Sequence, residues 1–64
     1  MIFYRSEIRP DTWCAVRSWG SMPVATIEKI DRNRYLATIV GRSETSVTTS
    51  LQLAKQFIEG QLNG

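Results

Sequence analysis

Histidine is absent from this chain, and cysteine occurs once, at Cys14. The first absence removes the side chain most used for acid–base chemistry near neutral pH and excludes a Cys–His or Ser–His nucleophile pair. The second excludes an intramolecular disulfide, and together they leave no tetrahedral zinc site. Set between Trp13 and Ala15, Cys14 reads as a small hydrophobe expected inside the core. No run approaches the roughly 18 apolar residues of a membrane span, and the amino-terminal MIFYRSEIRP lacks the order of a signal peptide. A soluble protein of the reducing cytoplasm is therefore expected, with no membrane partner. The carboxylates Glu7, Asp11, Glu28, Asp31, Glu44 and Glu59 are scattered, and Gly20 and Gly41 stand alone, so neither a carboxylate pair nor a phosphate-cradling loop is present. These absences predict a protein that is not an enzyme, with no catalytic residue, metal, cofactor or small-molecule substrate.

Charge is also scarce on balance. Eight basic residues stand against six acidic ones, a net +2, with no run of like sign. Arginine supplies six of the eight, which favours planar, two-pronged contacts to carboxylate or phosphate over point-charge attraction. No internal repeat or low-complexity linker divides the chain, so residues 1–64 are read as one small domain. At that length only about 60% of the unfolded surface can be buried.

What is present is a succession of short, branched and aromatic runs. Residues 2–9 (IFYRSEIR), 12–19 (TWCAVRSW), 24–30 (VATIEKI) and 34–40 (RYLATIV) have the composition of strands. Pro10–Asp11, Gly20–Ser21 and Asp31–Arg32–Asn33 punctuate them as turns. A three-residue loop at 31–33, with Asn33 in the left-handed conformation, sets Ile30 opposite Arg34. Ala25, Ile27, Tyr35, Ala37 and Ile39 then share one face. Residues 41–48 (GRSETSVT) read as a polar loop with at most a short strand extension. A helix follows, capped by Thr49 with Gln52 three positions on. Leu51, Leu53, Ala54, Phe57, Ile58 and Leu62 form its apolar side, and Gln52, Lys55, Gln56 and Glu59 its polar arc. The expected fold is α+β: a three- to four-stranded antiparallel meander with one carboxy-terminal helix on one face, β-β-β-β-α.

The stretch WCAVRSWG, residues 13–20, carries both tryptophans. Six positions apart in one strand, they would point the same way, together with Ala15 and Arg17. A two-residue Gly20–Ser21 turn places Cys14 and Val16 under the helix and leaves Trp13, Arg17 and Trp19 on the uncovered face with Thr26, Arg34 and Thr38. A three-residue turn reverses the parity and sends Trp13, Ala15 and Trp19 into the core. The first is favoured, because the second would draw Arg17 inward without a partner. Tryptophan and arginine are the residues most enriched at binding hot spots. Trp13, Arg17, Trp19, Thr26, Arg34 and Thr38 are thus the expected partner-binding set, and the partner is expected to be another protein or a second copy of the chain. An inhibitor, adaptor or small regulator fits this pattern, of the kind found among phage and mobile-element accessory proteins.

Nucleic acid is the alternative partner. A three-stranded sheet backed by a helix, with this Trp–Arg content, resembles the sheet-reading domains of plant AP2 factors and the arm-binding domains of phage-type integrases. The resemblance implies a sheet face laid in the major groove, with Arg17, Arg32, Arg34 and Arg42 as the contacts to phosphate and guanine.

Overall fold

The computed structural model describes residues 1–63. Five strands, β1 (Ile2–Arg5), β2 (Thr12–Val16), β3 (Ala25–Asp31), β4 (Arg34–Ile39) and β5 (Thr45–Thr48), precede a single helix, α1 (Leu51–Asn63). The strands pair antiparallel in chain order, β1-β2-β3-β4-β5, and the helix packs over β3, β4 and β5. The expected α+β meander with one carboxy-terminal helix is the architecture observed. Its fifth strand comes from the polar segment read as a loop. In TSVT only Val47 is apolar, yet the four residues pair with Tyr35–Thr38 and close the sheet on that side.

The β3–β4 hairpin has the predicted register through its body, with Ala25 opposite Ile39, Ile27 opposite Ala37 and Lys29 opposite Tyr35. Its tip differs. Asp31 pairs with Arg34, and a bulge between Lys29 and Asp31 absorbs the extra residue. Bulges add the local twist that a left-handed loop residue would otherwise supply. Asn33 is accordingly not left-handed: among the described residues Asp11, at φ 51°, is the only non-glycine with positive φ.

The core sits between sheet and helix. Ala15, Ala25, Ile27, Ala37 and Ile39 meet Ala54 and Ile58, all essentially inaccessible, with Phe3, Trp13, Val24, Tyr35, Leu51, Phe57 and Leu62 packed around them. Of these seven central residues four are alanine. Alanine lets the helix approach closely but contributes little apolar area, and a core in a domain this small rarely supplies more than about 3–5 kcal/mol. The helix departs from expectation at two positions. Leu53 lies largely exposed, whereas Lys55 is half-buried with its ammonium 5.5 Å from the Phe3 ring centre. Its start is capped by Ser50, whose Oγ accepts from the Leu53 amide at 3.2 Å; the helix opens at Leu51, so Ser50, and not Thr49, occupies the capping position. Gly60 lies inside the helix with open space where a β-carbon would stand. Gly60→Ala is expected to stabilise the domain by about 0.5–1 kcal/mol, read as a higher urea midpoint at unchanged slope.

Candidate docking face

Side chains alternate along a strand, so the register assigns every strand residue to the helix side or to the open side. Ala15 pairs with Ala25 and Trp13 with Ile27. Trp13 therefore belongs to the helix side, where its ring lies 6.0 Å from that of Tyr35 and the Arg5 guanidinium stands 5.8 Å away. Cys14 and Val16, expected under the helix, alternate onto the other side, where Cys14 is half-buried and Val16 is buried by the chain itself. The predicted parity fails because β2 stops at Val16. The connection to β3 is residues 17–24, not a two-residue turn.

Within that connection Gly20, at φ 88°, occupies the third position of a tight turn whose ends are Ser18 and Ser21. The Ser21 amide and hydroxyl both donate to the Ser18 carbonyl, at 3.2 and 2.6 Å. A residue with a β-carbon is disfavoured at such a position. Arg17, the reason for rejecting the inward arrangement, lies beyond the strand end and is exposed, so no charge is dragged inward. Trp19 leaves the strand as well and turns back over the open side. There its ring sits 5.8 Å from that of Tyr4, and 71% of the residue remains exposed. The two tryptophans thus occupy opposite faces.

Tyr4, Cys14 and Trp19 form the floor and one wall of a groove of about 510 Å³, completed by Arg5, Ser6, Glu7 and Ile8. The β1–β2 loop builds its rim. Ser6 Oγ accepts from the amides of Ile8 and Arg9 at 3.2 and 3.1 Å, and the Asp11 carbonyl accepts from the Lys29 amide at 2.8 Å. Held in that loop, Ile8 projects with 93% of its surface exposed. Met22, in the β2–β3 connection that carries Trp19, is 83% exposed. Desolvation, followed by the neighbouring Cys14 thiol, pushes the Tyr4 phenol above its ordinary value.

The rest of the open side is nearly free of charge. One row across the five strands reads Tyr4, Cys14, Thr26, Thr38 and Thr45, and the next reads Thr12, Glu28, Leu36 and Val47. Glu28 is the single charge in its interior. Asp31 and Arg34 stand opposite one another at the hairpin tip. No helix covers this side.

Of the predicted partner-binding residues, the structure brings Thr26 and Thr38 together as cross-strand neighbours on the open side, with Trp19 at its corner and Arg34 at its far rim. Trp13 is removed to the other face, and Arg17 lies in the connecting loop. The arginines named for nucleic acid do not converge. Arg32 and Arg34 lie at the β3–β4 tip, whereas Arg17 and Arg42 lie in the loops at the opposite end of the meander, where Arg42 Nη1 donates to Gln61 Oε1 at 3.4 Å. Tyr4, Ile8, Met22, Leu36 and Val47 were absent from the expected set. Ile8 carried a readable signal, an isoleucine flanked by Glu7 and Arg9 just ahead of Pro10.

Among the described residues no group of three or more His, Cys, Asp or Glu side chains could hold a metal ion, and no helix is long and apolar enough to cross a membrane. Compared with known proteins, the chain matches no family model, no curated protein and no solved structure.

Proposed function

We propose that this protein acts by docking, not by catalysis, and that it docks on a protein surface through the open side of its sheet, in the manner of a small inhibitor, adaptor or regulator. The observation that carries this reading is the chemistry of that side. It is a five-stranded face with no helix over it and one interior charge, and it ends in a Trp19–Tyr4 corner beside Ile8. A sheet face meant for water usually alternates polar and charged residues outward. Depletion of charge with enrichment of aromatic residues and methionine is the mark of an interface core. Trp19, Thr26 and Thr38 are the central contacts, with Arg34 and Arg17 at the rim, where a forked cation serves orientation more than affinity.

The nucleic-acid alternative rests on arginines that the meander separates to its two ends, and the interior of the open side offers phosphate no cation. A duplex-reading face needs its basic groups spread along the contact to replace the counterions it displaces.

The test compares three variants of the tagged protein in cells of its source. Trp19→Ala and Thr26→Lys alter the open side, and Lys29→Ala alters the helix side. A binding protein held by the wild type and by Lys29→Ala, but lost by both open-side variants, is the expected result. Retention by Trp19→Ala and Thr26→Lys together would overturn the assignment of this face. Tight binding of duplex DNA at low salt, abolished by raising it, would favour the alternative.

A further inference from the structure

We infer that the occupant of the open side is a second copy of this chain, giving a two-fold dimer in which the sheets pack face to face. The inference rests on the docking reading above and names the partner.

Two properties of the chain favour a copy of itself. The first is the stability the monomer lacks. Natural domains of this size supplement a small core with disulfides, a structural metal or oligomerisation. This chain has one cysteine and no histidine, and an alanine-rich core, which leaves association as the means of burying more apolar surface. The second is electrostatic. A two-fold interface sets a surface against itself, so a face of one dominant sign repels its own copy. The open side here escapes that penalty, because its interior is made of Tyr4, Cys14, Thr26, Leu36, Thr38, Thr45 and Val47. Its one charge, Glu28, lies toward the hairpin-tip end, where a long side chain reaches water.

The size also matches. The molecule measures 30 × 28 × 20 Å, the shortest dimension suiting a sheet-plus-helix sandwich. Its broad face is of the order of the ~800 Å² per partner that a stable interface buries. That is about a fifth of the 4438 Å² total surface (800/4438). Face-to-face sheets pack about 10 Å apart, a gap that threonine, leucine, valine and cysteine side chains from two copies fill. Trp19 and Met22, on the loop beside the sheet, would lap over the partner's edge.

Sedimentation of the purified wild type at micromolar concentration, next to Thr38→Lys and Trp19→Ala, tests this. Lysine at position 38 can extend along the sheet into water in a monomer but brings two ammonium groups together in the dimer. The expected result is a dimeric wild type and two monomeric variants that keep the wild-type far-UV spectrum. Two further readouts follow. The thermal midpoint of the wild type, and not of Thr38→Lys, rises with protein concentration. Reaction of Cys14 with a thiol reagent speeds up several-fold on dilution of the wild type and is uniformly fast in Thr38→Lys. A wild type that stays monomeric at all concentrations overturns the dimer and leaves docking on a different protein standing. A dimer that persists in both variants places the self-interface elsewhere and overturns the dimer proposed here, while partner binding by the open-side variants still decides the docking reading. If Thr38→Lys fails to fold, Trp19→Ala and the Cys14 rates decide.

Discussion

Cutting Ile27 back to alanine should leave a chain that does not fold as a monomer. Ile27 is inaccessible to solvent at the centre of β3, paired with Trp13 on one side and Ala37 on the other, under the helix. Removing buried aliphatic atoms costs their transfer free energy and adds a cavity term wherever the surroundings cannot collapse inward. Here collapse is obstructed. Ala15, Ala25, Ala37 and Ala54 are already minimal, and none can lengthen to refill the space. A cost in the upper part of the 2–5 kcal/mol range for such truncations is as large as the roughly 3–5 kcal/mol such a core supplies. Far-UV circular dichroism in the absence of denaturant should show loss of both helix and sheet signal. A folded Ile27→Ala with a urea midpoint close to wild type would mean that the stability of the domain lies elsewhere than in this alanine-lined core.

The second large effect separates the tryptophans. Trp13 packs against the core and spans from the Arg5 guanidinium to the Tyr35 ring. Trp19 pairs with the Tyr4 ring and is 71% exposed. Full burial of a tryptophan makes its truncation cost about 3–5 kcal/mol. Trp13 is half-buried, so Trp13→Ala should cost about 2 kcal/mol by the same rule, a large part of the roughly 3–5 kcal/mol such a core supplies and a marked lowering of the urea midpoint. Trp19→Ala forfeits one aromatic pair, about 0.5–1.5 kcal/mol, and should leave a folded protein with its transition slightly shifted. Paired urea titrations of the two variants, followed by circular dichroism so that neither indole is needed as the probe, check the ordering. Equal costs would mean that both indoles serve the same face.

Much of the architecture was legible in the residues. VATIEKI and RYLATIV alternate so regularly about a polar DRN tip that odd-numbered Ala25, Ile27, Tyr35, Ala37 and Ile39 could be placed on one face, and all five lie there. The helix was equally plain from the spacing of Ala54, Phe57, Ile58 and Leu62. TSVT was not legible as a strand. An edge strand is held by backbone pairing on one side and needs few apolar side chains, so its composition is that of a loop. The cap moved by one residue for a related reason, since Thr49 and Ser50 are both competent acceptors and the choice between them depends on where the chain leaves β5.

The candidate face was legible in kind but not in membership. That Thr26 and Thr38 share the side opposite Ala25, Ile27, Ala37 and Ile39 follows from the pattern. Which tryptophan belongs to it does not, because facing depends on parity, and parity depends on the length of the connection. Residues 17–24 could be a tight turn or a long loop on composition alone, and one residue of difference reverses every side chain of β2.

By itself, then, the order of amino acids determined the class of fold, the β3–β4 face, the amphipathic helix and the absence of histidine or a second thiol, because each is a local or compositional property. Only the folded chain decided that β2 ends at Val16, that Trp13 packs toward the helix while Trp19 crosses to the other side, and that Ile8 lines the groove beside it. These depend on how strands separated by loops come into register. That register is settled by the joint burial of Trp13, Ala15, Ala25 and Ile27, a cooperative fit that no single segment carries.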